Sequence, residues 1–219
     1  MCYSAEASLG VSGILLGIGS LSISKVKQRS QYFLASIPLF FALQQLSEGL
    51  LWLSLQNRFQ GISSQILILI FVIFGQTFWP VWIPLSALMI EEERKRKKII
   101  FNCLIIGLII SVFLLYHTFK TSPFAIIEDH HIKYIFNYPR LLQTKFNLVY
   151  LIPTVISLIA SSFKKINTLG ILLLVSYLIS ELFFYQYVFS IWCFFASILS
   201  LYISTIVGKL EEIFYFKSK

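Results

Sequence analysis

The stretch Phe40–Leu53, FFALQQLSEGLLWL, decides the fold. Gln44, Gln45, Ser47 and Glu48 stand within five positions of an otherwise apolar run. On a helix, Gln44 and Glu48 are one turn apart at i, i+4. Gln45, Glu48 and Trp52 follow at i, i+3, i+7, so these side chains share one face. A carboxylate facing hydrocarbon is costly, so that face turns into a helix bundle.

The rest of the chain fits such a bundle. It has 219 residues, 57% of them hydrophobic and 13% charged. Its mean hydropathy is +0.79. A soluble domain carries about 25% charged residues, and its core could not absorb this much apolar surface. The formal charge of +8 does not point to nucleic acid, because the basic residues lie in short loops between apolar segments.

A helix crosses a bilayer with about 20 mainly apolar residues. Seven segments qualify: 7–24, 31–55, 63–90, 98–119, 146–163, 167–187 and 188–208. A tight turn near Gln186 divides the last two. Thirteen Lys and Arg side chains fall in alternate loops and the tail, at 25–29, 94–98, 164–165 and 209–219. Five fall on the other side: Arg58, Lys120, Lys133, Arg140 and Lys145. The richer side is expected to be cytoplasmic. The expected fold is an all-α integral membrane protein of the cell (inner) membrane. Its single domain has seven transmembrane helices, N-terminus out and C-terminus cytoplasmic. The start MCYSAEAS has no basic region ahead of its apolar run and does not read as a cleavable signal.

Two helices carry seams of small residues, expected to be packing faces. Helix one has Gly10, Gly13, Gly17, Ser20 and Ser24. Helix seven has Ser190, Cys193, Ser197, Ser200 and Ser204. Cys2, Cys103 and Cys193 are far apart and form neither a disulfide framework nor a zinc ribbon. The run EEERKRKK at 91–98 reads as an inner-surface helix end. The long segment 120–145 reads as an extracytoplasmic loop that lies on the membrane surface or caps the bundle.

The polar residues converge on the outer side. Glu48 lies in the outer third of helix two and Glu181 in that of helix six. Glu6, His117, His130 and His131 lie at or beyond the outer boundary. In helix three, Gln76 and Trp79 precede Pro80 and Pro84, and these prolines free carbonyls that neighbours or water must satisfy. No Lys or Arg stands in the middle of any span. Glu48 and Glu181 therefore need a proton, a metal, a water-filled cavity or a histidine. Lacking a lysine inside the bundle, the chain is no retinal protein.

These residues define a candidate ligand site: Gln44, Gln45, Glu48, Trp52, Gln76, Trp79 and Glu181. It would bind or sense a small ligand. A second reading is a metal-dependent intramembrane hydrolase at the outer leaflet. Glu48, Glu181 and His131 would then be catalytic or metal-holding, with zinc as a possible ion. A third is a proton- or ion-coupled carrier using the same carboxylates. A fourth is a structural subunit in which the amides are interhelical hydrogen-bond glue. The expected partners are the lipid bilayer and a small molecule, not nucleic acid.

The order of motifs resembles an uncharacterised family of bacterial seven-helix proteins. The resemblance rests on Met1, Cys2, Ser4 and Ser8; on Gln44, Gln45, Glu48, Gly49 and Trp52; and on Gln76, Trp79, Pro80, Trp82 and Pro84. His131, Ile132 and Tyr134 follow, and then Trp192 to Ala196. It implies the seven-helix fold and favours His131 over His130, but it brings no activity. Helix count alone is also similar to the seven-helix zinc hydrolases that include alkaline ceramidases and adiponectin receptors. Those place a histidine in their last helix, where this chain has none.

Overall fold

The computed structural model describes residues 4–136 and 149–207. Met1 and Cys2 of the first motif, Arg140, Lys145, the start of the expected fifth span and the tail lysines lie outside them. The described residues form seven helical segments and one β-hairpin. Six of the helices are long and apolar enough to cross a membrane.

Helix α1 is Ala5–Ser24, capped by the Ser4 side chain, which accepts from the Ala7 N–H at 3.2 Å. Helix α2 is Arg29–Leu55, with a first turn of 3₁₀ geometry. Helix α3 is Ser64–Ile90, with a π-helical stretch at Ile73–Phe78. Helix α4 is Arg94–Thr121. Helix α5 is described over Val149–Ile159, and it too carries a π turn, at Ile152–Ile156. Helix α6 is Lys164–Phe183. Helix α7 spans Tyr185–Val207 after a bend at Phe184, beside the expected turn.

Pro80 accounts for the π segment of α3. Pro80 donates no backbone N–H, so in the π register the Gly75 carbonyl five residues earlier has no helical partner. Neighbouring helices replace it. The Tyr150 hydroxyl of α5 donates to the Gly75 carbonyl. Ser111 of α4 donates to Thr77 O at 2.7 Å. A proline in a spanning helix demands such rescue, and the side chains that supply it come from α4 and α5. Gly107 lets α4 approach this irregular backbone. A Cβ there would lie 1.9 Å from the Pro80 carbonyl oxygen.

The α1 seam differs from expectation. Gly10, Gly13 and Gly17 face outward with no atom near a Cβ placed on them. Helix α1 packs through the opposite set instead, including Ser8, Ser12, Leu15 and Gly19. There Ser12 donates to Ala42 O at 2.8 Å, and Gly19 admits Leu39 of α2. Both faces of α1 carry small residues, so spacing alone did not distinguish them. The α7 seam does face inward: Ser190, Cys193, Ser197 and Ser200 are buried.

The expected long loop contains strands β1 (Phe124–Glu128) and β2 (His131–Ile135), paired with Glu128 opposite His131. The two-residue turn Asp129–His130 has φ of 47° and 61°. This is the left-handed pair that a tight hairpin twist demands. The fold is all-α in class, with one short hairpin among the described residues. The hairpin caps the bundle: Ala125, Ile132 and Tyr134 are buried, and Tyr134 stacks on Phe71 of α3 at 4.8 Å.

The opposite end is locked by Glu91. Its carboxylate accepts from Ser162 N at 2.7 Å, Ser162 Oγ at 2.6 Å and Ser161 Oγ at 3.1 Å. It also accepts from the Glu92 and Glu93 amides at the entrance to α4. Arg96 closes the clamp by donating to the Ala160 and Ser161 carbonyls at 3.1 and 3.2 Å. Burial alone would push the Glu91 carboxyl up. The Ser162 hydroxyl and the backbone donors outweigh burial and hold it below its ordinary value. Part of the run read as a surface anchor is therefore a buried joint between the α3–α4 and α5–α6 connections.

Candidate ligand cavity beside a buried carboxylate

Glu48 is fully buried on α2, and Ser190 of α7 donates its hydroxyl to Glu48 Oε1 at 2.7 Å. One turn earlier, Gln44 Oε1 accepts the indole N–H of Trp79 on α3 at 2.7 Å. Cys193 lies close enough to feel both the Glu48 carboxylate and the Gln44 amide. The shared face of Gln44 and Glu48 therefore joins α2 to α3 and α7. Trp79 is held flat by Phe41, whose ring stacks on it at 3.9 Å and 21°.

Not every polar atom here is satisfied. Gln45 is fully buried, and neither of its amide atoms has a hydrogen-bond partner among the described residues. Trp52 Nε1 is in the same state. Each such group costs on the order of 1–3 kcal/mol relative to a paired one. The fold retains this polar strip at a cost to stability.

Next to it lies a cavity of about 390 Å³, enclosed by α2, α3, α4, α5, α6, α7 and β2. Trp79 and Cys193 belong both to its wall and to the polar strip, so Gln44 and Glu48 act on the cavity through them. The floor is apolar, with Ile83, Leu173 and Ala196. The middle is aromatic, with Tyr150, Tyr177, Phe189 and Trp192. The end beneath β2 carries Lys133, Tyr185 and Gln186. Ring edges fix the walls: Trp192 meets Tyr177 at 5.2 Å and Tyr150 at 5.7 Å, both near perpendicular. Tyr150 and Thr154 spend their hydroxyl protons on backbone carbonyls.

Of the residues expected to line a site, Gln76 and Trp79 are on this wall. Gln44, Gln45, Glu48, Trp52 and Glu181 are not. Glu48 is sealed by its own hydrogen bond, as a buried carboxylate must be. Glu181 is half-buried on α6, and its Oε2 has no hydrogen-bond partner among the described residues. His131 is buried in β2, stacked on Tyr187 at 4.6 Å and edge-on to Phe184 at 5.9 Å. His130 occupies the hairpin turn.

Among the described residues, no three His, Cys, Asp or Glu side chains converge as metal ligands. His131, Glu48 and Glu181 do not form such a group. The sequence reading missed Tyr150, Tyr177, Phe189 and Trp192. Aromatic residues stand on exposed as well as buried helix surfaces here, Tyr116 and Phe119 among the exposed, and only packing separates them.

The arrangement defines a class: a bundle of apolar helices, capped by a hairpin, with an aromatic cavity flanked by a sealed carboxylate. The chain belongs to a family of unknown function (DUF6629), whose profile matches residues 1–214. No curated protein and no solved structure gives a significant match.

Proposed function

We propose that the protein spans the cell (inner) membrane seven times, N-terminus out and C-terminus in, and binds a small molecule in the cavity beneath the hairpin. Six apolar helices of spanning length support the membrane reading. Val149–Ile159 supplies a seventh, shorter segment. Lys25, Arg29, Arg94–Lys98 and Lys164–Lys165 gather at the end opposite the hairpin, which favours that end as cytoplasmic. The cavity is then on the outer side.

The observation that carries the binding reading is the cavity itself. A space of about 390 Å³ falls within the range of about 300–1,000 Å³ typical of ligand pockets. Sensing follows if occupancy changes the contacts of β2 with α7, since β2 forms part of the wall. The hydrolase reading draws no support from the described ligand sets. The carrier reading retains one supporting feature, the buried Glu48 carboxylate.

Native mass spectrometry of protein released from its membrane tests the binding reading. Wild type should carry a small molecule that Ala196→Phe, which fills the cavity floor, does not retain. Equal adducts, or none, on both proteins would overturn it.

A further inference from the structure

Resting on that reading, we propose the class of ligand: a single-chain amphiphile with an anionic head. Its chain lies against Phe41, Ile83, Leu173 and Ala196, and its head sits beneath β2 at Lys133 and Gln186. The cavity is graded in one direction. Between Gln186 and Ala196 it follows ten residues of α7, or about 15 Å at a helical rise of 1.5 Å per residue. Along that length the wall changes from polar and charged to aromatic to aliphatic. A compact polar ligand would leave the lower part unfilled.

Charge selects the head. Lys133 is the one ionised group among the described residues of the wall, and its partner carboxylate, Glu128, stands behind it, outside that lining. An aromatic cage for a cation would place its ligand beside this ammonium group and is disfavoured. Lys133 donates to Glu128 Oε2 at 2.6 Å and to Gln186 Oε1 at 2.9 Å. An ammonium group has three N–H donors, so one remains for a carboxylate or phosphate. The hydrogen bond from Lys133 to Glu128 holds the ammonium above its ordinary pKa, and it stays charged. Tyr150 and Thr154 have committed their protons to backbone, and that leaves ring and methyl surface for a chain. A fatty acid and a lysophospholipid share this chemistry.

The test uses the full chain in phosphatidylcholine nanodiscs. Trp79 and Trp192 report contact by quenching with bromododecanoate, bromododecanol or bromododecyl-trimethylammonium. Bromododecanoate should quench saturably, and Ala196→Phe should abolish the saturable part. Lys133→Gln should weaken bromododecanoate about tenfold, the effect of one charge-assisted hydrogen bond, and leave bromododecanol unchanged. A lysophospholipid that displaces bromododecanoate would identify the source as lipid. Failure to displace it would identify a free fatty acid. Tighter binding of the ammonium probe, or no effect of Lys133→Gln, would overturn the anionic class and leave cavity binding standing. No saturable quenching by any probe would overturn the amphiphile. The native adduct comparison, which uses no added probe, decides the binding reading separately.

Discussion

Ser190 on α7 and Glu48 on α2, 142 residues apart in sequence, meet through a hydrogen bond of 2.7 Å. It fixes the distance between the helix that carries the polar strip and the helix that forms one cavity wall. Ser190→Ala should cost about 1–2 kcal/mol, the range for an interhelical hydrogen bond in a bilayer. Glu48→Gln keeps an acceptor and should cost less than Glu48→Ala. A double-mutant cycle on thermal unfolding in nanodiscs checks this. Additive losses from Ser190→Ala and Glu48→Gln would mean that the pair is not coupled.

Gly107 and Gly13 make opposite predictions from the same substitution. Gly107→Ala drives a methyl group into the Pro80 carbonyl at 1.9 Å, and backbone cannot move aside cheaply. It should destabilise by at least about 3 kcal/mol. Gly13→Ala meets nothing and should be neutral or stabilising by up to about 1 kcal/mol through helix propensity. Melting temperatures of the two variants separate a packed glycine from an outward one.

These two positions also show what could be read from the sequence. The apolar segments and the inward face of Gln44 and Glu48 follow from hydropathy and the cost of burying charge. The inward seam of α7 was legible as well. The seam of α1 was not, because Ser8, Ser12 and Gly19 offer a second small face and the choice depends on which one fits α2. The cavity was invisible for a related reason. Its wall is drawn from six helices and a strand, and no local spacing marks Tyr150, Tyr177 and Trp192 as neighbours. Glu91 looked like one member of a charged run until the α5–α6 connection was in place.

The Glu91 clamp gives a pH dependence with a definite sign. Its folded pKa is depressed, so its stabilisation is present above the unfolded carboxylate pKa. It is lost as pH falls through the lower folded value. Acidification below about 4.3, the ordinary Glu value, should therefore loosen the α3–α4 connection. Glu91→Gln should remove most of that dependence and cost about 2–4 kcal/mol at neutral pH, since several buried donors lose a charged acceptor. Hydrogen exchange of the Ser162 amide at graded pH reports it.

His131 predicts a second transition at the other end. Burial holds its imidazole below the ordinary value of 6.5, against the opposing pull of Asp129. Its neutral form is favoured in the docked hairpin. Docking should be fully stable above pH 6.5 and weaken as pH falls below it, because the undocked state binds the proton more readily. Exchange of the β2 amides should accelerate between neutral pH and about pH 5. His131→Phe should keep the stack on Tyr187 and abolish the pH response.

The central claim is that the cavity between α3, α5 and α7 is a binding site. A high-resolution cryo-electron microscopy map of the wild-type protein in native lipid tests it most directly. The account predicts non-protein density between Trp79 and Trp192, running from Lys133 to Ala196. Phe189 and Tyr150 collapsed together across that space, or a void without density, would contradict it.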